Sequence, residues 1–112
     1  MPIIDQATFE ELKQMSGEEF INELIDTFLE DAPKMIAEIQ SALSANNADA
    51  FRRAAHSMKS NASTFGATEL AALARELEML GKENKLAGSG DKLKAFEEAY
   101  ASVREELIGL KS

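Results

Sequence analysis

Apolar residues recur at three- and four-residue intervals along most of this chain, the spacing that lines one face of an α-helix. β-Branched runs are few, while Ala, Leu, Glu and Lys abound. The pattern predicts an all-α chain. A short first helix opens at Asp5, whose side chain suits the N-cap, and ends near Ser16-Gly17. A second is expected from about Glu18 to Glu30, with Phe20, Ile21, Leu24, Ile25 and Phe28 on its apolar face. "DAP" reads as its stop, because Pro33 suits the first turn of a new helix, although helices joined at a proline can also continue as one kinked rod. Ile36, Ile39 and Leu43 stripe the next helix until "SANNAD", which offers Asn47 or Asp49 as a fresh start signal. A helix then carries "AAHSMKSNASTFG" and ends near Gly66, and another runs from about Thr68 to about Lys82. "ENKLAGSG" reads as a flexible loop, and a last helix spans Asp91 to Leu110. Long helices joined by short links pack most simply as an antiparallel four-helix bundle, here with the short first helix laid across one end.

Length places all of this in one domain, residues 1–112. No apolar run approaches the ~20 residues that span a bilayer, so no membrane partner is expected. The start "MPIID" lacks the basic and apolar regions of a secretory signal, and the absence of cysteine excludes disulfides and thiolate metal sites. A cytoplasmic location follows as the expectation. The net charge of −8 argues against nucleic acid, which calls for a basic surface. The charge is uneven: nine acids and one lysine stand between Met1 and Asp31, whereas residues 50–68 hold Arg52, Arg53 and Lys59 and no acid. The only histidine, His56, lies inside this basic island.

With Met58 at the centre of the core face, Phe51, Ala54, Ala55, Ala62 and Phe65 fall within roughly 60° of it at about 100° per residue. His56 then stands about 160° away, on the solvent side, among Arg52, Arg53, Ser60 and Ser63 with Lys59 one turn along. A chain that reverses near Gly66 brings His56 level with positions 76–78. On that returning helix Leu70, Leu73, Leu77 and Leu80 make the expected core stripe, and Ala67, Ala71, Ala74 and Glu78 a flanking stripe whose alanines allow close approach. Glu78 is therefore the expected partner of the ring. A carboxylate that accepts from one ring nitrogen fixes the tautomer and leaves the other nitrogen as an outward nucleophile. Lys82, a further turn on, is placed to face the same anion.

A nucleophilic nitrogen with a lysine one turn away suits a phosphoryl group, whose transfer depends on in-line positioning and charge neutralisation. Small residues around the ring let a partner approach, and the basic island favours an acidic pocket. The plainer alternative is a solvated face with an inert exposed histidine. Met58 and Met79 read as core filler. One histidine without cysteine or a convergent carboxylate set gives no metal site, and no pocket or oxyanion donors suggest a hydrolase.

The stretch "AHSMKSNASTFG" resembles the signature of histidine phosphotransfer (HPt) domains, His-x-Leu-Lys-Gly with a further glycine downstream. His56, Met58, Lys59 and Gly66 fall on its positions, and the likeness extends through "DQATFEEL", "LIDTFLEDAPKMIAEI" and "LARELEMLGK". The resemblance implies a phosphoryl carrier without autokinase activity, passing phosphate between aspartates of receiver domains in hybrid histidine kinases and response regulators. It implies His56 as phosphoacceptor, Lys59 as the holder of phosphoryl oxygens, and Glu78 as the ring-orienting group where many members have glutamine. No cofactor would bind stably, Mg²⁺ coming from the receiver. The family's glycine after the lysine is Ser60 here, a change at the docking surface that bears on partner choice or rate. Met58 for leucine conserves volume.

A sensor-kinase phosphoacceptor helix pair is the nearest rival, but Ser57 rather than an acid follows His56, and no nucleotide-binding stretch is present. The other rival is a helical docking module for a receiver or other signalling protein, with its histidine unphosphorylated. Arg52, Arg53, Ser60, Ser63 and Lys82 are the expected docking residues. A bundle that buries its own stripes is expected to be a monomer.

Overall fold

The computed structural model describes residues 3–111; the first two residues of "MPIID" and Ser112 lie outside them. The elements are α1 (Gln6–Ser16), α2 (Glu18–Ser44), α3 (Ala48–Thr64), α4 (Thr68–Lys82), a single 3-10 turn (Leu86–Gly88) and α5 (Gly90–Leu110). Helices α2 to α5 form the bundle, and α1 lies across one end, as the pattern predicts.

The expected break at Pro33 does not occur: α2 is one helix of 27 residues with the proline inside it. An interior proline forfeits a hydrogen bond and crowds the preceding turn, at a cost of about 3 kcal/mol. Against this, Ile21, Ile25, Phe28, Ala32, Ile39 and Ala42 continue a single buried stripe past the proline, which itself faces solvent. Each large apolar side chain in such a stripe contributes about 1.5–3 kcal/mol. Packing along the whole stripe outweighs the local defect.

Three of the turns are built alike. Asn46, Gly66 and Asn84 each follow a helix with positive φ. In each case the amide of the next residue returns to a carbonyl in the last turn: Asn47 to Ala42 (2.8 Å), Ala67 to Ala62 (3.0 Å) and Lys85 to Leu80 (2.8 Å). These bonds satisfy the orphan carbonyls of a helix end and reverse the chain within a few residues. The helix after the first of them, α3, is capped by Asn47, whose side chain accepts from the Ala50 amide.

Gly66 carries a second duty. Its carbonyl accepts from the Asp5 amide at 2.8 Å, and a Cβ there would stand 2.9 Å from Thr8 Cβ. The start of α1, capped by Asp5 onto the Thr8 amide, thus sits on the α3–α4 turn. Ile4 and Phe9 are buried at this end, in a cluster with Glu106 and Leu110 of α5.

The core is formed by Phe28, Phe51, Met58, Leu70, Leu77, Phe96 and Leu107 among others. Phe28 meets Phe65 and Tyr100 with ring centroids 5.4 Å and 6.0 Å away. Gln40 to Glu97 and Lys111 to Asp26 join α2 and α5 at complementary heights, the signature of an antiparallel pair. No helix among the described residues is long and apolar enough to cross a membrane.

Four expectations need correction. Phe20 is 51% exposed, because the buried stripe of α2 is centred on Ile21, Ile25 and Phe28. On α4 the buried line is Leu70, Ala74, Leu77 and Gly81, with Leu73 and Leu80 only half-buried. The small residues turn α4 toward α3. That rotation leaves Met79 exposed rather than in the core. Finally, "ENKLAGSG" is not a loop free of the core: it contains the 3-10 turn, with Leu86 and Ser89 buried and Ser89 Oγ donating to the Leu86 carbonyl at 2.7 Å.

Candidate functional site

Met58 has no exposed surface, and the helical repeat that buries it turns His56 outward on α3. On α4, Gly81 is pressed against the start of α3: a Cβ there would come within 2.9 Å of the Arg52 nitrogen and 3.0 Å of the Ala48 carbonyl oxygen. Only a residue without a side chain lets the two backbones come so near. Glu78, one turn earlier on α4, is thereby brought against the middle of α3.

The result is a three-residue cluster spanning the two helices. Glu78 Oε2 lies 2.6 Å from His56 Nδ1, and Glu78 Oε1 accepts from Lys59 Nζ at 2.7 Å. The carboxylate side chain is only 15% exposed, Lys59 is 30% exposed, and the imidazole is 55% exposed. Burial pushes the Glu78 carboxyl up, but the hydrogen bonds from Lys59 and His56, with their charges, more than offset this and hold it below the ordinary carboxylate range. Glu78 is ionised at neutral pH and accepts only. The proton of a neutral His56 ring therefore sits on Nδ1, and Nε2 keeps its lone pair, with no hydrogen-bond partner for it among the described residues. The cluster is a half-buried anion under a half-open imidazole, with an ammonium beside it.

The arginines behave differently from the expectation of an uncompensated basic island. Arg52 Nη2 and Arg53 Nε both bind Asp49, at 3.0 Å and 3.1 Å. The hydrogen bond from Arg52 and the charge of Arg53 keep the Asp49 carboxyl below its usual range. The compensating acid lies just outside the acid-free window, three and four residues before the arginines, a spacing that pairs side chains on a helix. The i,i+3 and i,i+4 spacing of Asp49, Arg52 and Arg53 makes this pairing legible in the sequence. Lys59 is likewise neutralised, by Glu78.

Ser60 and Ser63 are exposed on α3, as expected. The Ser60 carbonyl accepts from Thr64 Oγ1, and Asn61 donates to the Ser57 carbonyl, so the polar face is tied to its own backbone. Lys82 is exposed one turn beyond Glu78 and forms no ion pair among the described residues; it does not join the carboxylate. A groove of about 610 Å³ runs between α2 and α3, lined among others by Ala37, Glu38 and Ser41 from α2 and by Arg53, Ala54 and Ser57 from α3; the His56 ring is not part of its lining. Among the described residues no group of three or more His, Cys, Asp or Glu side chains could hold a metal ion.

Comparisons with known proteins point the same way. A family model described as "Hpt domain" matches residues 23–106. Among solved structures, the crystal structure of histidine-containing phosphotransfer protein B (HptB) from Pseudomonas aeruginosa PAO1 is similar at a TM-score of 0.92 with 29% sequence identity, over 98% of this chain and 95% of that chain. No curated protein matches the chain.

Proposed function

The chain belongs to the Hpt domain family and is a histidine phosphotransfer protein of phosphorelays, and from that premise we propose that His56 Nε2 carries the phosphoryl group between receiver-domain aspartates. The observation that carries this reading is the bond between His56 Nδ1 and the half-buried Glu78 carboxylate. It dedicates Nδ1 to the protein interior and Nε2 to a partner.

In the proposed step the Nε2 lone pair attacks the phosphorus of a receiver's aspartyl phosphate in line with the breaking P–O bond, whose electrons return to the aspartate. Phosphoryl transfer of this kind needs alignment and charge neutralisation more than proton transfer in the protein. Lys59 has three N–H donors and gives one to Glu78, which leaves two for phosphoryl oxygens. Mg²⁺ is supplied by the receiver. Family members are phosphoryl carriers, and this chain's lack of autokinase activity is part of the proposal.

Receiver docking is proposed over the exposed face around the ring. Ser60 and Ser63 are small enough for close approach there. Arg52 and Arg53 can exchange Asp49 for an acidic partner, with Lys82 at the flank. A monomer acting in the cytoplasm completes the reading.

Mixing the purified protein with phosphorylated receivers and Mg²⁺ tests it. Acid-labile, alkali-stable phosphate is expected on wild type and not on His56→Gln. Binding without any label, across the cognate receivers, would favour a docking module instead.

A further inference from the structure

The charge of Glu78 gives this cluster a property that an uncharged amide in the same place would supply much less well. Both its oxygens are used, one on His56 Nδ1 and one on Lys59, and the carboxylate is half-buried between the two helices. We infer that the Glu78 charge keeps the proton on Nδ1 after Nε2 is phosphorylated, holding the phosphohistidine as a protonated, readily transferred imidazolium. The inference rests on His56 being the phosphoacceptor.

The electron balance gives the reason. When Nε2 of the neutral ring attacks phosphorus, the N–P bond forms, the aspartate leaves with its electron pair, and the ring becomes a cation bearing its original Nδ1 proton. In water that proton is free to dissociate, and the product is then a neutral phosphoimidazole. Its N–P bond breaks with difficulty, because the electrons must return to a ring that would leave as imidazolate. If the proton is retained, the same bond breaks to release neutral imidazole, a far better leaving group. Transfer onward then runs as the reverse of capture: the N–P electrons stay on Nε2, the phosphoryl group passes to the next carboxylate, and no proton is exchanged with solvent.

Retention requires a group that favours the cation over the neutral ring. An ionised acceptor at hydrogen-bond distance does so, and a neutral amide does so much less. Glu78 faces Nδ1 at 2.6 Å. The other charged groups around the ring do not compete for this position. On α3, Arg52 and Arg53 are committed to Asp49 and Lys59 to the other Glu78 oxygen. On α4, Lys82 is exposed and unpaired among the described residues, and on α2 Glu38 lies in the neighbouring groove with Arg53 and Ser57. Because burial is outweighed at Glu78 by its two hydrogen-bonded neighbours, the carboxylate stays charged through mildly acidic pH. Glu78 acts through His56 and is a positioning residue.

The measurement is the lifetime of the phosphohistidine. The whole protein and its Glu78→Gln variant are phosphorylated with phosphoramidate, freed of donor, and followed from mildly acidic to mildly alkaline pH by ³¹P NMR, with the ring nitrogens read by ¹⁵N NMR. Wild type is expected to lose phosphate at a nearly constant rate and to keep an Nδ1-protonated ring throughout. Glu78→Gln should match it in acid and decay on the order of tenfold more slowly on the alkaline side, the worth of exchanging a charge-assisted for a neutral hydrogen bond. Parallel decay of the two proteins at every pH, or a variant that accepts no phosphate while its fold is retained, would overturn the inference. Absence of label on His56 in wild type would instead remove the reading on which it rests.

Discussion

A Cβ on Gly81 would stand 2.9 Å from the backbone nitrogen of Arg52, so the two helices that carry the site touch where one of them has no side chain. The position of Glu78 relative to His56 depends on this contact, because Glu78 is one turn from Gly81 on the same rigid element. Gly81→Ala gains helix propensity of about 0.5–1 kcal/mol. It also forces two backbones apart, and overpacking typically costs about 1–3 kcal/mol. Backbone atoms cannot rotate away, so the clash prevails. Urea denaturation should show a net loss of about 1–2 kcal/mol, and the ¹⁵N signature of the His56–Glu78 bond should weaken with it. An unchanged midpoint would mean that the helices separate freely.

The acid side of the stability profile should carry Glu78's mark. Its folded carboxyl titrates below the unfolded value near 4.5, despite burial, because Lys59 and His56 hold the charged form. A depressed acid contributes stability that is present above the unfolded value and is lost as pH falls through the folded one. Glu78→Gln should therefore be less stable than wild type at neutral pH, by about 1–2 kcal/mol for the lost charged hydrogen bonds. The difference should shrink as the solution is acidified below the ordinary carboxylate range. Denaturation of both proteins as a function of pH checks the sign: a gap that widened in acid would contradict it.

Lys59 is held by Glu78 yet keeps two free donors, which separates its role from that of the ring partner. Lys59→Met retains much of the stem's packing and removes the ammonium. It should leave the Nδ1 proton of His56 in place and slow label uptake from a phosphorylated receiver by roughly tenfold, as expected for one charged contact to a phosphoryl oxygen. Uptake at the wild-type rate would remove Lys59 from the transfer step.

Tyr100 offers a test away from the site. Its hydroxyl is buried and finds no hydrogen-bond partner among the described residues, and burial pushes its ionisation up against the opposing charge of Arg104. An unsatisfied buried hydroxyl costs about 1–3 kcal/mol, whereas the ring itself packs edge-on to Phe28. Tyr100→Phe keeps the ring and should raise stability by about 1 kcal/mol. Thermal denaturation reads this directly, and a destabilised variant would show that the hydroxyl is satisfied.

Much of this molecule was legible before its structure. The bounds of α1 follow from the Asp5 cap and Ser16-Gly17, and the start of α4 at Thr68 from the turn at Gly66, where local chemistry acts within a few residues. The outward face of His56 follows from the helical repeat around Met58, and its meeting with Glu78 from the tight reversal at Gly66. Such features depend on short-range geometry, which the order of residues fixes. The break expected at Pro33 failed because the long buried stripe of α2, contributed by residues on both sides of it, outweighs a local penalty. The burial of Ala74 and Gly81 in place of Leu73 and Leu80 had the same origin: α4 turns toward the helix it can approach most closely, and a one-dimensional pattern ranks side chains by hydrophobicity rather than by the space between backbones.

The sequence by itself determined the all-helical bundle, the exposed histidine and the acid that would face it. Tertiary structure decided how the charges are shared. Lys59 and His56 divide the two oxygens of Glu78, and Arg52 and Arg53 close on Asp49. Composition counts charges along the chain, but their pairing depends on ångström-scale distances, and for the site itself those are set by the packing of α3 and α4.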